Sequence, residues 1–383
     1  MFESELSSFD DIAPLRDKEV PEAVTMLLGE ENFVKVLEYM FKNHPIDNVK
    51  ALFRSVKTVR DFQWKISYPF MKMVERQSTS GVVPEKTDTL QKGKNYLFIS
   101  NHRDITLDSA FLCIILMDVG RETPEIAIGD NLLIYPWIET LVRLNKSFIV
   151  RRGVSGRSQL EASRHLSAYI RYALQQKRQS IWLAQRQGRA KDSDDRTQES
   201  LLKMLNMSGN GSIIENMKEL NICPLTISYQ YDPCDFLKAK EFQQKRDNPD
   251  YQKSPTDDLL NMQTGILGFK GKIVYTFGQK LVNELDALQS LPRAELFASL
   301  AQLIDKQIHF NYAVFDTNRI AYDLLFPEKA AGGYAPEVAA QFETYLNQQI
   351  DKIDLPDKDI PFLRHKLLEM YSNPLINKQI AIQ

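Results

Sequence analysis

Between about residue 80 and residue 280, short apolar runs alternate with longer helical patterns, and that alternation confines the chain to a sheet with helices packed on it. The strand candidates are 96–99, 125–128, 147–150, 180–184, 223–229 and 272–277. Between the third and fourth, Leu160, Leu166, Ile170 and Leu174 form the apolar stripe of a helix, and Ser158 and Glu161 have the spacing of a capping box. Residues 236–258 are charged and poor in apolar side chains, which predicts a surface insertion before the last strand. From about 290 onward only helical patterns occur, interrupted at Gly332-Gly333 and between Pro356 and Pro361. The expected class is therefore α/β: a mixed sheet flanked by helices, with a helical N-terminal segment over 1–79, a core over 80–288 and a helical C-terminal region over 289–383.

A chain of 383 residues with 43% hydrophobic content and a net charge of -2 has no basic excess that would recruit nucleic acid. Three cysteines, Cys113, Cys223 and Cys234, are too few and too irregularly spaced for a disulfide framework or a zinc site, which suits a reducing cytoplasm. The acidic start, Met-Phe-Glu-Ser-Glu-Leu, lacks the charged-then-apolar pattern of a signal peptide and is expected to be retained. No window reaches the roughly 18–20 apolar residues that span a bilayer, so any membrane contact is expected to be peripheral.

Residues 48–78 bear on that contact. Val49, Leu52, Phe53, Val56, Val59 and Phe62 recur at helical spacing, while Lys50, Arg54 and Lys57 line another face among Trp64, Tyr68 and Phe70. This is the makeup of an interfacial helix, and equally of an amphipathic helix packed on a core with a solvated basic side.

The chemistry concentrates in Tyr96-Leu-Phe-Ile-Ser-Asn-His-Arg-Asp-Ile-Thr-Leu-Asp108. Here a buried strand ends at Ser100-Asn101, and His102, Asp104 and Asp108 follow at its carboxyl end, where open α/β sheets bind ligands. A helix opening near Thr106 would put Asp104 and Asp108 on one face of its first turn, so that either carboxylate could meet His102. A carboxylate-held imidazole is a general base. With no Gly-x-Ser-x-Gly elbow in the chain and no Cys beside the motif, that base is suited to a substrate hydroxyl rather than to an enzyme nucleophile. The plainer role for Asp104 or Asp108 is a helix cap.

Three further segments follow. Phe148-Ile-Val-Arg-Arg152 ends a strand with two guanidinium groups, Arg151 and Arg152, suited to a phosphate or carboxylate. Ile181-Trp-Leu-Ala-Gln-Arg-Gln-Gly-Arg-Ala-Lys-Asp192 gathers Arg186, Arg189 and Lys191 around Gly188 after another strand. Cys223-Pro-Leu-Thr-Ile-Ser-Tyr229 reads as a strand opened by a proline.

In this order the four segments resemble the motif blocks of the glycerolipid acyltransferase family, which includes the lysophosphatidic acid acyltransferases, over about 95–280. Asn101-His102 to Asp108 corresponds to the first block, Phe148 to Arg151 to the second, Arg186-Gln187-Gly188 with its basic tail to the third, and Pro224 to Tyr229 to the fourth; Gly278 after the last strand also fits. The resemblance implies an acyltransferase of phospholipid biosynthesis, peripheral on the cytoplasmic face of a membrane. In it His102 deprotonates an acceptor hydroxyl that attacks the thioester of an acyl-CoA or acyl-carrier protein, and an Asp orients the ring. Asn101, Arg151, Arg152, Arg186, Gln187, Gly188, Arg189 and Lys191 serve a lysophospholipid or glycerol-phosphate-like acceptor. No metal or bound cofactor is implied. The chain departs from the family in two places: five residues rather than four separate His102 from Asp108, with Asp104 where Ser is common, and Gln187 replaces Glu, with Ala190 where an Arg would be counted. Acylation of an amino-acid lipid, thioester hydrolysis, and lipid binding without catalysis remain the rival readings.

Overall fold

The computed structural model describes residues 8–153, 155–330 and 332–383; the acidic stretch at residues 1–6 lies outside them. The chain divides into two compact units, Met1–Met73 with Cys113–Trp182, and Val74–Leu112 with Leu183–Gln383.

Seven strands form: β1 (Val82–Glu85), β2 (Leu97–Ser100), β3 (Glu125–Gly129), β4 (Ser147–Val150), β5 (Ile181–Ala184), β6 (Ile222–Tyr229) and β7 (Ile273–Phe277). Strand β5 crosses the unit boundary. Its Ile181 and Trp182 pair with β3 within the first unit, giving β5-β3-β4 there, and the second unit holds the order β1-β7-β6-β2. The β6–β7 pair is antiparallel, whereas β1–β7, β2–β6, β3–β4 and β3–β5 are parallel, so the α/β class with a mixed sheet and helical termini holds.

Six of these strands match the apolar runs of the sequence; β1 does not. Only four residues long and carrying Pro84, it sits at the end of the strand order, where a missing N–H is tolerated. Pro224, expected to open its strand, is the third residue of β6. It precedes the antiparallel ladder, whose first rung is Leu225 with Phe277, and its carbonyl accepts the Gly278 N–H at 2.8 Å.

In the first unit, helices Val20–Gly29, Glu31–Met40 and Ile46–Arg54, with the turns that follow to Ser67, enclose a core of Val20, Leu27, Phe33, Leu37, Val49, Phe53, Val56 and Phe62. Each such side chain fully removed from water contributes about 1.5–3 kcal/mol. The apolar stripe of 48–62 is thereby used on the unit's own core, leaving Leu52 and Trp64 exposed beside the cations. The helix Gly156–Gln175 starts earlier than expected, so Ser158 and Glu161 lie inside it and form no capping box; Glu161 pairs with Arg157 at 2.9 Å and Leu160 is exposed.

In the second unit the C-terminal region forms helices Leu296–Phe310, Asp316–Leu325, Pro336–Asp351 and Ile360–Ile382, the last three around Ile320, Phe342, Leu346, Leu363 and Leu367. The expected surface insertion is instead largely helical, as Asp235–Asp247 and Pro255–Leu267, and the first of these buries Asp235, Lys238, Glu241 and Gln243. Its inward face is polar, which is why composition misplaced it. Among the described residues no helix is long and apolar enough to cross a membrane.

Candidate active site

Strand β2 is buried along its whole length and delivers Asn101 and His102 at its carboxyl end. Asn101 acts as an extension of the sheet: its Nδ2 donates to the Ile227 carbonyl at 2.9 Å and its Oδ1 accepts the Ile227 N–H at 2.8 Å. With both ends of the amide engaged by β6, Asn101 ties the turn after β2 to the neighbouring strand.

The next residue is a histidine held by a carboxylate. His102 Nδ1 lies 2.8 Å from Asp108 Oδ2; the imidazole is 14% exposed and the carboxylate fully buried. The same oxygen accepts the backbone N–H of Arg103 at 2.6 Å and of Asp104 at 3.1 Å. Three donors on one oxygen hold the carboxylate aimed at Nδ1. A ring that donates from Nδ1 keeps its lone pair on Nε2.

The helix after this turn begins at Leu107, so Asp104 stands outside it and does not share a helical face with Asp108. Its Oδ1 accepts the N–H groups of Thr106 at 2.8 Å and Leu107 at 2.7 Å, which is capping geometry. Burial, followed by the neighbouring Asp108 carboxylate, pushes Asp104 above the usual carboxylate range, and Arg189 opposes the shift.

Arg103, buried, points the other way. Its Nη2 pairs with Asp195 Oδ2 at 2.7 Å and lies 3.4 Å from the Tyr312 hydroxyl, while its carbonyl accepts Lys238 Nζ at 3.1 Å. Lys238 is itself paired with Asp232. Burial works against the Arg103 charge, and Asp195 with the surrounding oxygens outweighs it and raises the guanidinium.

The loop after β5 places the third cationic segment in the same unit. Gly188 has φ +72°, a left-handed conformation that side chains other than glycine's adopt at a cost. Arg189 Nη2 donates to Asn261 Oδ1 at 3.0 Å, whereas Arg189 Nη1 and Arg186 Nε are buried atoms without a hydrogen-bond partner among the described residues. Gln187 is exposed, and its N–H is taken by Gln198 Oε1 at 2.8 Å. Lys191, expected to contact substrate, is paired instead with Glu241, which Lys245 also holds at 2.9 Å; burial lowers the Lys191 ammonium to about 8.

Arg151 and Arg152 belong to the other unit, at the end of β4, and both are exposed. Arg151 Nη2 lies 3.4 Å from the Asp11 carbonyl, and the Arg152 N–H donates to Asp130 Oδ1 at 3.1 Å with its guanidinium over Gly129. Among the described residues no group of three or more His, Cys, Asp or Glu is arranged to hold a metal.

Motif reading missed Asp195, Tyr312, Lys238 and Asn261. All four are brought to this centre from distant parts of the chain. The one local trace was the run Asp192-Ser-Asp-Asp195 directly after the third segment.

Residues 81–228 match the family model described as Acyltransferase. No curated protein matches the chain. Among solved structures it is similar to the 1-acyl-sn-glycerophosphate (LPA) acyltransferase of Thermotoga maritima, with 12% identity over 74% of this chain and 91% of that one and a TM-score of 0.38.

Proposed function

We propose, starting from the match of residues 81–228 to the Acyltransferase family model, that the chain moves a fatty acyl group from an acyl-CoA or acyl-carrier-protein thioester to the hydroxyl of a lysophospholipid or glycerol-phosphate-like acceptor. The observation that carries this reading is the 2.8 Å pair of His102 and Asp108 at the carboxyl end of β2.

His102 Nε2 takes the proton of the acceptor hydroxyl as its oxygen attacks the thioester carbonyl. Asp108 keeps the ring in the tautomer that allows this and stabilises the imidazolium that forms. The tetrahedral intermediate collapses with loss of the C–S bond, and the imidazolium returns its proton to the leaving thiolate. Arg186 and Arg189, each with a buried N–H lacking a partner among the described residues, meet the acceptor's anionic head group. Asp104 caps the following helix. The co-substrate is the only acyl carrier, and no cofactor takes part.

The acceptor is met at the cytoplasmic face of a membrane, with Lys50, Arg54 and Lys57 beside exposed Leu52 and Trp64 providing a peripheral contact. Binding to anionic vesicles that does not weaken with salt would remove that part.

The test is a product assay with labelled acyl-CoA or acyl-carrier protein, with and without lysolipid, in the wild type and in His102→Ala. Acceptor-dependent acylated lipid, reduced about two to four orders of magnitude in the variant, is the expected result for loss of a positioned base. Free fatty acid alone would make the protein a thioester hydrolase, and no turnover of any donor would leave a lipid-binding protein.

A further inference from the structure

The third cationic segment does not end free. Residues 192–197, which follow it directly, are bonded rung by rung to the C-terminal region. Asn373 Nδ2 donates to the Asp192 carbonyl at 2.8 Å, and Asn377 lies between Asp194 and Arg196, with its Nδ2 3.2 Å from Asp194 Oδ1 and its Oδ1 3.1 Å from Arg196 Nη2. Thr197 gives both its N–H and its hydroxyl to Asp305 Oδ1, at 2.8 and 2.6 Å. At the centre is Asp195, with no exposed surface. Its carbonyl accepts His309 Nε2 at 2.7 Å, and its Oδ2 is shared by the Tyr312 hydroxyl, by Arg103 Nη2 at 2.7 Å and by Asn101 Nδ2 at 3.4 Å.

Asp195 therefore touches both neighbours of His102 in the chain, Asn101 and Arg103. Arg103 is held at three points: its guanidinium by Asp195, its carbonyl by Lys238, and its N–H by the Asp108 oxygen that also holds the imidazole. A rotation of the Arg103 peptide would pull a donor off that oxygen. Burying a guanidinium beside the base carries a large desolvation cost unless it is paired, and Asp195 supplies the pair.

We propose that Asp195 is a positioning residue for His102, and that His309 and Tyr312 brace it, so that the C-terminal helices fix the geometry of the base. The inference rests on His102 being the base. Asp195 touches no substrate; it acts through Arg103 and Asn101. Loosening the brace lowers the fraction of molecules with the ring aimed at the hydroxyl. It leaves the acceptor's binding contacts as they are, so kcat falls and the acceptor KM does not rise.

Tyr312→Phe keeps the ring and removes one donor to Asp195, and His309→Leu removes a second. His309→Gln retains a donor and serves as the conservative control. Steady-state kinetics of the full chain, with acceptor varied at saturating donor, are measured for each in the wild-type and His102→Ala backgrounds, with folding checked by thermal melting. The expected result is a kcat lowered about tenfold in Tyr312→Phe and His309→Leu, an acceptor KM within about twofold of wild type, recovery of kcat in His309→Gln, and no further loss when either is combined with His102→Ala. Equal losses in both backgrounds, or an unchanged kcat in both folded variants, would overturn the brace. Near-normal turnover in His102→Ala alone would instead overturn the base, a separate failure read from a separate variant.

Discussion

Asp104 and Gly265 meet so closely that a β-carbon on the glycine would fall on the Asp104 Oδ2 oxygen. Gly265 lies in the helix Pro255–Leu267, and Asp104 cannot swing away, because its other oxygen is occupied by the Thr106 and Leu107 N–H groups. Gly265→Ala should therefore destabilise the protein by about 1–3 kcal/mol, the range for overpacking a fixed contact. Asp104→Ser keeps a capping oxygen on a shorter side chain and should remove most of that loss. Chemical denaturation of the two single variants and the double variant measures the coupling, and strictly additive effects would show that the contact is not tight.

The two carboxylates near His102 are separated by their hydrogen bonds, and their amide variants should differ accordingly. Asp108→Asn removes the charge that stabilises the imidazolium and can present an amide N–H to Nδ1, so turnover should fall by about two to four orders of magnitude. Asn remains a good helix cap, so Asp104→Asn should stay within about tenfold of wild type. The comparison is made at matched thermal stability. A larger loss in Asp104→Asn would transfer the orienting role to Asp104.

Most of the sheet was legible in the sequence because β2, β4, β6 and β7 are almost wholly buried and therefore written as mostly apolar runs. Strand β1 was not, since a four-residue strand with partly exposed and exposed side chains has no apolar signature. The helix Asp235–Asp247 was misread for a related reason. Lys238 is paired with Asp232, and Glu241 with Lys191 and Lys245, and a paired buried charge looks in sequence like a solvated one. The position of His102 after its strand was legible, whereas the choice between Asp104 and Asp108 depended on where the helix starts, a matter of one or two residues. Asp195 left only the acidic run Asp192-Ser-Asp-Asp195 as a local trace, because every group that gives it meaning comes from at least 92 residues away in sequence, the Asn101, Arg103, His309 and Tyr312 contacts included.

Asp305, which receives both donors of Thr197, is held by burial at about 6, above its ordinary value of 3.8. Its folded form binds a proton more tightly than its unfolded form. The stabilisation from that proton is therefore complete below about pH 4 and is lost as the pH rises through 6. The shift corresponds to on the order of 2–3 kcal/mol. Asp305→Asn accepts the Thr197 bonds without titrating, so its stability relative to wild type should improve by that order between pH 4 and pH 7. Urea denaturation of both proteins across that range provides the measurement, and a difference that stays constant with pH would place the Asp305 carboxyl in a more solvated setting.

The remaining prediction concerns the acceptor's charge. Arg189 reaches the candidate centre through two features: it opposes the raised Asp104 carboxyl electrostatically, and its Nη2 is anchored on Asn261 while Nη1 is buried without a partner among the described residues. An anchored guanidinium with a vacant donor suits one oxygen of a phosphate or carboxylate. Lys191 is committed to Glu241 and should contribute little. If Arg189 binds the head group equally in the ground and transition states, Arg189→Ala should raise the acceptor KM by about ten- to a hundredfold and change kcat far less. Lys191→Met should leave the acceptor KM within about threefold. Arg151 belongs to the other unit and is tested alongside, with acceptor varied at saturating acyl donor. An unchanged acceptor KM in Arg189→Ala, with a raised donor KM, would assign the vacant donor to the phosphates of the acyl carrier and leave the acceptor's anion to be held elsewhere.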